Sequence, residues 1–152
     1  MNHRGFTLME LVMILVLVGI LAAFVAPRLG NVTGTQALAF SDKLRADIRY
    51  AQSLAMTTGQ RHRVYVNTAP APLPQGYAVE NVATGSIVPD PGGTPNLSVT
   101  LNSGDYAGIT IAPAATIEFD SFGRPTMGGG TALTVAPAGA TITITAGTGA
   151  VN

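Results

Sequence analysis

The chain has no cysteine. Disulfides and thiolate metal sites are thereby excluded, and any folded part must hold by packing alone. Charge is scarce as well: Lys and Arg number 8, Asp and Glu number 8, and together they make up 11% of the 152 residues. The formal net charge of +0 gives no overall pull toward nucleic acid or an anionic surface. Histidine is limited to His3 and His62. His62 stands between Arg61 and Arg63 at an expected turn, a poor seat for a histidine-based catalytic triad. The run Gly128-Gly129-Gly130-Thr131 lacks the lysine of a phosphate loop and reads as a hairpin connection. Asp90, Asp105, Glu118 and Asp120 do not have the spacing of a calcium loop and read as solvated turn carboxylates. No catalytic residue, cofactor or metal site is expected.

The few charges are unevenly spread. Through Arg63 there are seven basic and three acidic residues, and beyond it Arg124 stands against five acids. The later part is therefore mildly acidic. Its end, Ala146-Gly147-Thr148-Gly149-Ala150-Val151-Asn152, has no cation, which argues against the basic patch that binding to a phosphate backbone needs. Arg45, Arg49, Arg61 and Arg63 are expected as exposed charges on and near a helix.

Charge disappears altogether from residue 11 to residue 27. A helix over residues 6–26 would be about 30 Å long, enough to cross the apolar core of a bilayer. Arg4 and His3 precede it, and a basic flank favours a cytoplasmic N-terminus. Against this background Glu10 is anomalous, because a carboxylate costs a few kcal/mol if carried to the bilayer centre. A secretory signal peptide fits poorly: the natural cut after Ala26 is followed by Pro27 and preceded by Phe24, not by a small residue. If cleavage falls after Gly5, Phe6 acquires a free α-amine with a pKa near 8. That cation would stand at the partially positive end of a helix, where it is disfavoured. Glu10, one turn on, supplies the opposite charge to its own chain or to a neighbour. Gly19 and Pro27 weaken the same helix, glycine by about 1 kcal/mol relative to alanine and proline by the lost amide donor.

From residue 35 to residue 58 the apolar positions Phe40, Leu44, Ile48, Ala51 and Ala55 recur at helical spacing, with Asp42, Lys43, Arg45, Asp47 and Arg49 between them. This is an amphipathic helix whose stripe calls for a sheet. Arg28, Gly30 and Gly34 mark an exposed connection before it. After Gly59, strands are expected over 63–66, 76–82, 97–101, 109–111, 116–119, 132–135 and 141–145. Pro70, Pro72 and Pro74 break one connection, and Pro89-Asp90-Pro91-Gly92-Gly93 breaks another.

The junction Gly5-Phe6-Thr7-Leu8-Met9-Glu10, with Gly19 and Pro27 behind it, resembles that of type IV pilins and of the pseudopilins of type II secretion. Met9 departs mildly from the usual branched aliphatic residue, and the missing cysteines depart from the C-terminal disulfide of many pilins. Later segments look most similar to the GspH/FimT group of minor pilins and pseudopilins: Arg49-Tyr50-Ala51-Gln52-Ser53-Leu54-Ala55, Arg63-Val64-Tyr65-Val66, and Ile117-Glu118-Phe119-Asp120-Ser121-Phe122-Gly123-Arg124-Pro125. The resemblance implies an α+β, pilin-like fold, with a long N-terminal transmembrane and amphipathic helix packed on a head of two antiparallel sheets. It implies a leader peptide at 1–5, a membrane or filament-core half-helix at 6–27, an amphipathic half at 28–58 and a periplasmic head at 59–152. It further implies cleavage after Gly5 and N-methylation of Phe6 by a prepilin peptidase. Glu10 would then pair with a Phe6 α-amine during assembly, with helix flexibility at Gly19 and Pro27. The implied partners are other pilins or pseudopilins, an inner-membrane assembly platform and membrane lipid. The location would be single-pass in the inner membrane, with the N-terminus cytoplasmic, and then a periplasmic or surface filament. The alternatives are a DNA-binding minor pilin of FimT type and a major or adhesion-related pilin.

Overall fold

The computed structural model describes residues 7–29, 32–72 and 74–152. Gly5 and Phe6, the leader at 1–5, and Gly30 lie outside the described residues. The chain divides into two compact units, Met1–Val32 and Thr33–Asn152.

In the first unit, helix α1 spans Leu8–Leu29. Its 22 residues amount to about 33 Å of backbone at roughly 1.5 Å per residue. The helix passes through both Gly19 and Pro27. A methyl group at Gly19 would meet nothing within 4 Å, so no contact among the described residues demands glycine there. Side chains are described through residue 22, and among the described residues no helix is long and apolar enough to cross a membrane.

Helix α2, Val32–Thr58, lies in the second unit from Thr33 onward. It starts earlier than the sequence suggests and absorbs Gly34, which is helical and not part of a connection. Gly59, with φ +68°, ends it in the left-handed conformation that glycine adopts freely. The predicted stripe is buried, with Leu44, Ile48, Ala51 and Ala55 at 0% exposure and Phe40 at 2%, and it extends one turn earlier to Ala37, also at 0%.

Among the described residues nine strands follow: β1 (His62–Val66), β2 (Gly76–Asn81), β3 (Ser86–Ile87), β4 (Ser98–Thr100), β5 (Thr110–Ala112), β6 (Ala115–Phe119), β7 (Pro125–Met127), β8 (Ala132–Ala136) and β9 (Ala140–Thr143). They form two antiparallel sheets. The larger has the order β3-β2-β1-β6-β7 with β4 also on β2, and the smaller is β5-β8-β9. All seven expected strands are present within a residue or two. The sequence reading missed β3, which has too few residues to show a period, and β7, whose first residue is a proline. It also missed the 3-10 turn Gly104–Tyr106.

Strand β1 is central, and its register sorts the two faces. Val64 lies between Val79 and Ile117, all buried against the core, while Arg63 lies between Glu80 and Glu118 on the opposite face. The core joins the α2 stripe to residues of both sheets, including Tyr77, Ile111, Ile117, Phe119, Leu133 and Ile142. Phe40 meets Tyr106 edge-on with ring centroids 5.1 Å apart, a favoured aromatic geometry.

The outer positions of the small sheet are closed. The Ile111 amide of β5 donates to Gln75 Oε1 at 3.1 Å, and Asn67 Nδ2 donates to the Ile111 carbonyl at 2.8 Å. On the β9 side, Thr143 and Asn152 exchange both backbone hydrogen bonds at 3.0 Å. These pairings satisfy backbone groups that a bare edge would expose.

Asp47 corrects the expectation of an exposed charge. It is buried at 6%, accepts a hydrogen bond from Tyr77 Oη and pairs with Lys43 Nζ at 2.8 Å. Burial, together with the Asp47 carboxylate, pushes the Tyr77 hydroxyl well above its ordinary range, so it remains a donor. Tyr77→Phe removes that donor from a buried carboxylate and should destabilise the head by roughly 1–3 kcal/mol. Urea unfolding of the full chain in detergent measures this, and an unchanged midpoint would show that the bond carries no net stability.

Candidate functional site

Thr7, Leu8, Met9 and Glu10 begin α1 in the pattern Thr-x-x-Glu, which offers a reciprocal helix cap. Half of that cap is formed. The Glu10 amide donates to the Thr7 carbonyl at 3.1 Å and to Thr7 Oγ1 at 3.3 Å. The returning bond, from the Thr7 amide to the Glu10 carboxylate, is absent, and among the described residues that carboxylate has no hydrogen-bond or ion-pair partner. The capping pattern was not recognised in the sequence, although its spacing was visible there. It supplies a local role for Thr7 while leaving the Glu10 carboxylate uncommitted.

Around that carboxylate the surface is apolar. Glu10, Met13, Ile14, Leu17 and Val18 line one shallow groove along α1, at the spacing that puts residues on one helix face. Leu11, Val12, Leu15, Val16, Ile20 and Leu21 are exposed on the rest of the circumference. A helix apolar all round needs surroundings that are not water. Among the described residues of its own unit, α1 has nothing to bury this surface against.

The second concentration of charge lies on the head. Glu118, read from the sequence as a solvated turn carboxylate, is instead in β6 with its side chain 2% exposed. Arg63 Nε donates to Glu118 Oε2 at 2.9 Å, and Arg63 Nη2 donates to the same oxygen. Arg61 Nη1 reaches Oε1 at 3.2 Å, as does Thr126 Oγ1 at 2.8 Å. Arg63 also donates to Tyr65 Oη at 2.8 Å, and Tyr65 in turn donates to Glu80 at 2.8 Å. The network spans β2, β1, β6 and β7 and cross-links the outer face of the large sheet. Desolvation opposes the charge on Glu118, but hydrogen bonds from Arg63 and Thr126 and the charges of both arginines outweigh it. Its carboxyl is thereby held below the usual range.

Two further arginines are also engaged. Arg49 donates from Nε and Nη2 to the Val151 carbonyl at 3.2 and 2.6 Å, and Arg45 pairs with Asp42 at 2.5 Å. The four arginines expected as exposed charges all have protein partners: Arg49 and Arg61 are exposed as expected, whereas Arg45 and Arg63 are half-buried. His62, expected at a turn, is a buried residue of β1, its Nδ1 3.0 Å from the Gln60 carbonyl. Asp90, Asp105 and Asp120 do occupy turns. The carboxyl of Asp90 is held low, first by the Gly92 amide, which it accepts at 2.9 Å. Among the described residues no group of three or more His, Cys, Asp or Glu is placed to hold a metal ion.

Residues 1–26 match the family described as the prokaryotic N-terminal methylation motif. No curated protein matches the chain. Among solved structures, the type IV minor pilin FimU of Pseudomonas aeruginosa strain PAO1 is similar in two crystal forms. One aligns with a TM-score of 0.53 at 13% identity, over 78% of this chain and 87% of that one. The other gives 0.49 at 16% identity, over 78% and 89%. The first alignment shows a shared fold, an N-terminal helix packed on antiparallel sheets. The N-terminal methylation motif and a pilin-like α+β fold thus occur in one chain.

The Glu118 network makes the head acid-sensitive in a definite direction. A carboxyl depressed in the folded state contributes its full stability above the ordinary value of about 4.5 and loses it as pH falls through the lower folded value. Glu118→Gln should cost about 2 kcal/mol at neutral pH and flatten the fall in stability below that ordinary value. Thermal unfolding between pH 3 and pH 7 tests this. Parallel pH profiles for the two proteins would exclude Glu118 as the titrating group.

Proposed function

We propose that the chain is a structural subunit, a minor pseudopilin or minor pilin, anchored by its N-terminal helix and added to a filament of related subunits. The observation that carries this reading is the Glu10 carboxylate, without a partner among the described residues and one turn inside a helix that is apolar on every side. The methylation motif over residues 1–26 supports it. Cleavage after Gly5 gives Phe6 a charged amine, and Glu10 answers that amine on a neighbouring subunit. In lipid the unpaired charge is costly; stacking relieves it. The same stacking buries the apolar circumference of α1, which rests in the inner membrane before assembly with the head in the periplasm. Gly19 and Pro27 let the helix bend or partly unwind as it leaves lipid. The chain is not an enzyme in this reading: prepilin peptidase is the catalyst and this protein its substrate. The contacts made by Arg45, Arg49, Arg61 and Arg63 within the protein favour this role over that of a DNA receptor.

Mass spectrometry of the mature protein should find a chain that begins at N-methylated Phe6; one that begins at Pro27 or retains Met1 contradicts the processing. Glu10→Gln should leave insertion and cleavage intact, as read in membrane fractions, and remove the protein from sheared filaments. Wild-type incorporation of that variant would refute the pairing.

A further inference from the structure

The β6–β7 turn is built to hold one aromatic ring in water. Asp120 Oδ1 accepts the amides of Phe122 at 2.9 Å and Arg124 at 2.8 Å, while the Asp120 amide donates to the Arg124 carbonyl at 2.9 Å. Gly123 has φ +76°, and its carbonyl accepts Gln52 Nε2 of α2 at 2.7 Å. A methyl group at Gly123 would come within 2.8 Å of Met56 Sδ, so the turn lies directly against the last part of α2. At its tip Phe122 is 80% exposed, beside Met56 at 49%. The turn is fixed by side-chain and backbone bonds, so displaying Phe122 to a partner costs little further ordering.

Toward the other end of α2 is a groove of about 280 Å³ lined by Gln36, Ala39, Phe40, Lys43, Asp105 and Tyr106. Roughly 150 Å³ of apolar space is enough for a benzene ring. Tyr106, already edge-on to Phe40, offers an aromatic wall. The charges at the two places are complementary. Lys43 is paired with Asp47, which leaves the Asp105 carboxylate at the groove without a partner among the described residues. Arg124, next to the Phe122 turn, is exposed and its guanidinium likewise has no partner among the described residues.

We infer that the Phe122 turn of one copy seats in the Phe40–Tyr106 groove of a second copy, with Arg124 of the first facing Asp105 of the second. This rests on the reading of the chain as a filament subunit. Ala39 and Met56 are separated by about 25 Å of helix at roughly 1.5 Å per residue, so knob and groove cannot meet within one head. Two different surfaces in contact make a heterologous joint, which repeats without closing unless the rotation happens to complete a ring.

The absence of native cysteine makes the test direct. Ser121→Cys, which keeps the Phe122 ring, and Ala39→Cys are combined in the full-length chain, in the cells that produce it, and oxidised mildly. The expected result is a ladder of dimer, trimer and higher multiples on a non-reducing gel, where either single variant gives dimer at most. A double variant that behaves like the singles overturns the contact. Cross-linked bands that are not multiples of this chain overturn the assignment to a second copy. In the double-cysteine background, Arg124→Asp and Asp105→Arg should each diminish the ladder and together restore it; failure to restore removes that charge pair from the contact. Glu10→Gln separates the two readings. No ladder, with Glu10→Gln still excluded from filaments, defeats the Phe122 contact alone. A ladder accompanied by normal incorporation of Glu10→Gln defeats the charge pairing alone.

Discussion

Burial of one stripe of α2 is the constraint that organises the head. Ala37, Phe40, Leu44, Ile48, Ala51 and Ala55 contribute no polar atoms beyond the backbone, and without disulfides the two sheets have only packing and hydrogen bonds to hold them. The small residues of the stripe allow close approach, and Phe40 fills the space toward Tyr77 and Tyr106. Polar contacts then fix what the stripe brings near. Asp47 meets Tyr77 of β2, Arg49 holds the Val151 carbonyl, and Gln52 holds the Gly123 carbonyl. Within about one and a half turns of one helix, ties thus run to a sheet, to the C-terminal segment and to a loop.

The two units treat their charges in opposite ways. In the head, Glu118 lies under two arginines, a threonine and the edge of the sheet, and Asp47 lies between a lysine and a tyrosine. These groups stabilise the fold they belong to and have little left for a ligand. In α1 the carboxylate of Glu10 has no such companions among the described residues, although Thr7 and the local turn are suitably placed for a cap. A charge left unsatisfied in an apolar setting points outward, to a group supplied by processing or by another molecule.

Much of this was legible in the amino-acid sequence because it depends on period. The α2 stripe and all seven expected strands follow from helical and alternating spacing. What escaped the sequence depends on neighbours distant along the chain. Nothing local distinguishes Glu118 from Asp120: both are acids near a turn, and only the β1–β6 register places Arg63 opposite the first. His62 read as a turn residue because its flanking arginines are polar, yet it alternates inward along β1 with Val64 and Val66. Asp47 lies among charged residues in sequence, and its burial depends on Tyr77, thirty residues away. The Thr7–Glu10 cap was visible in the spacing but was hidden behind the stronger signal of the apolar run.

The closed margins of the small sheet have a consequence for how such a molecule can multiply. Polypeptides that present open strand edges join through their backbones, and growth of that kind is indifferent to side chains and hard to reverse. Here Asn67 and Gln75 occupy the Ile111 backbone groups, and Asn152 occupies those of Thr143. With those hydrogen bonds already used, lateral recruitment at these positions would have to break something first. At these positions association is left to side-chain surfaces, whose fit is particular to a partner and whose separation leaves each fold intact.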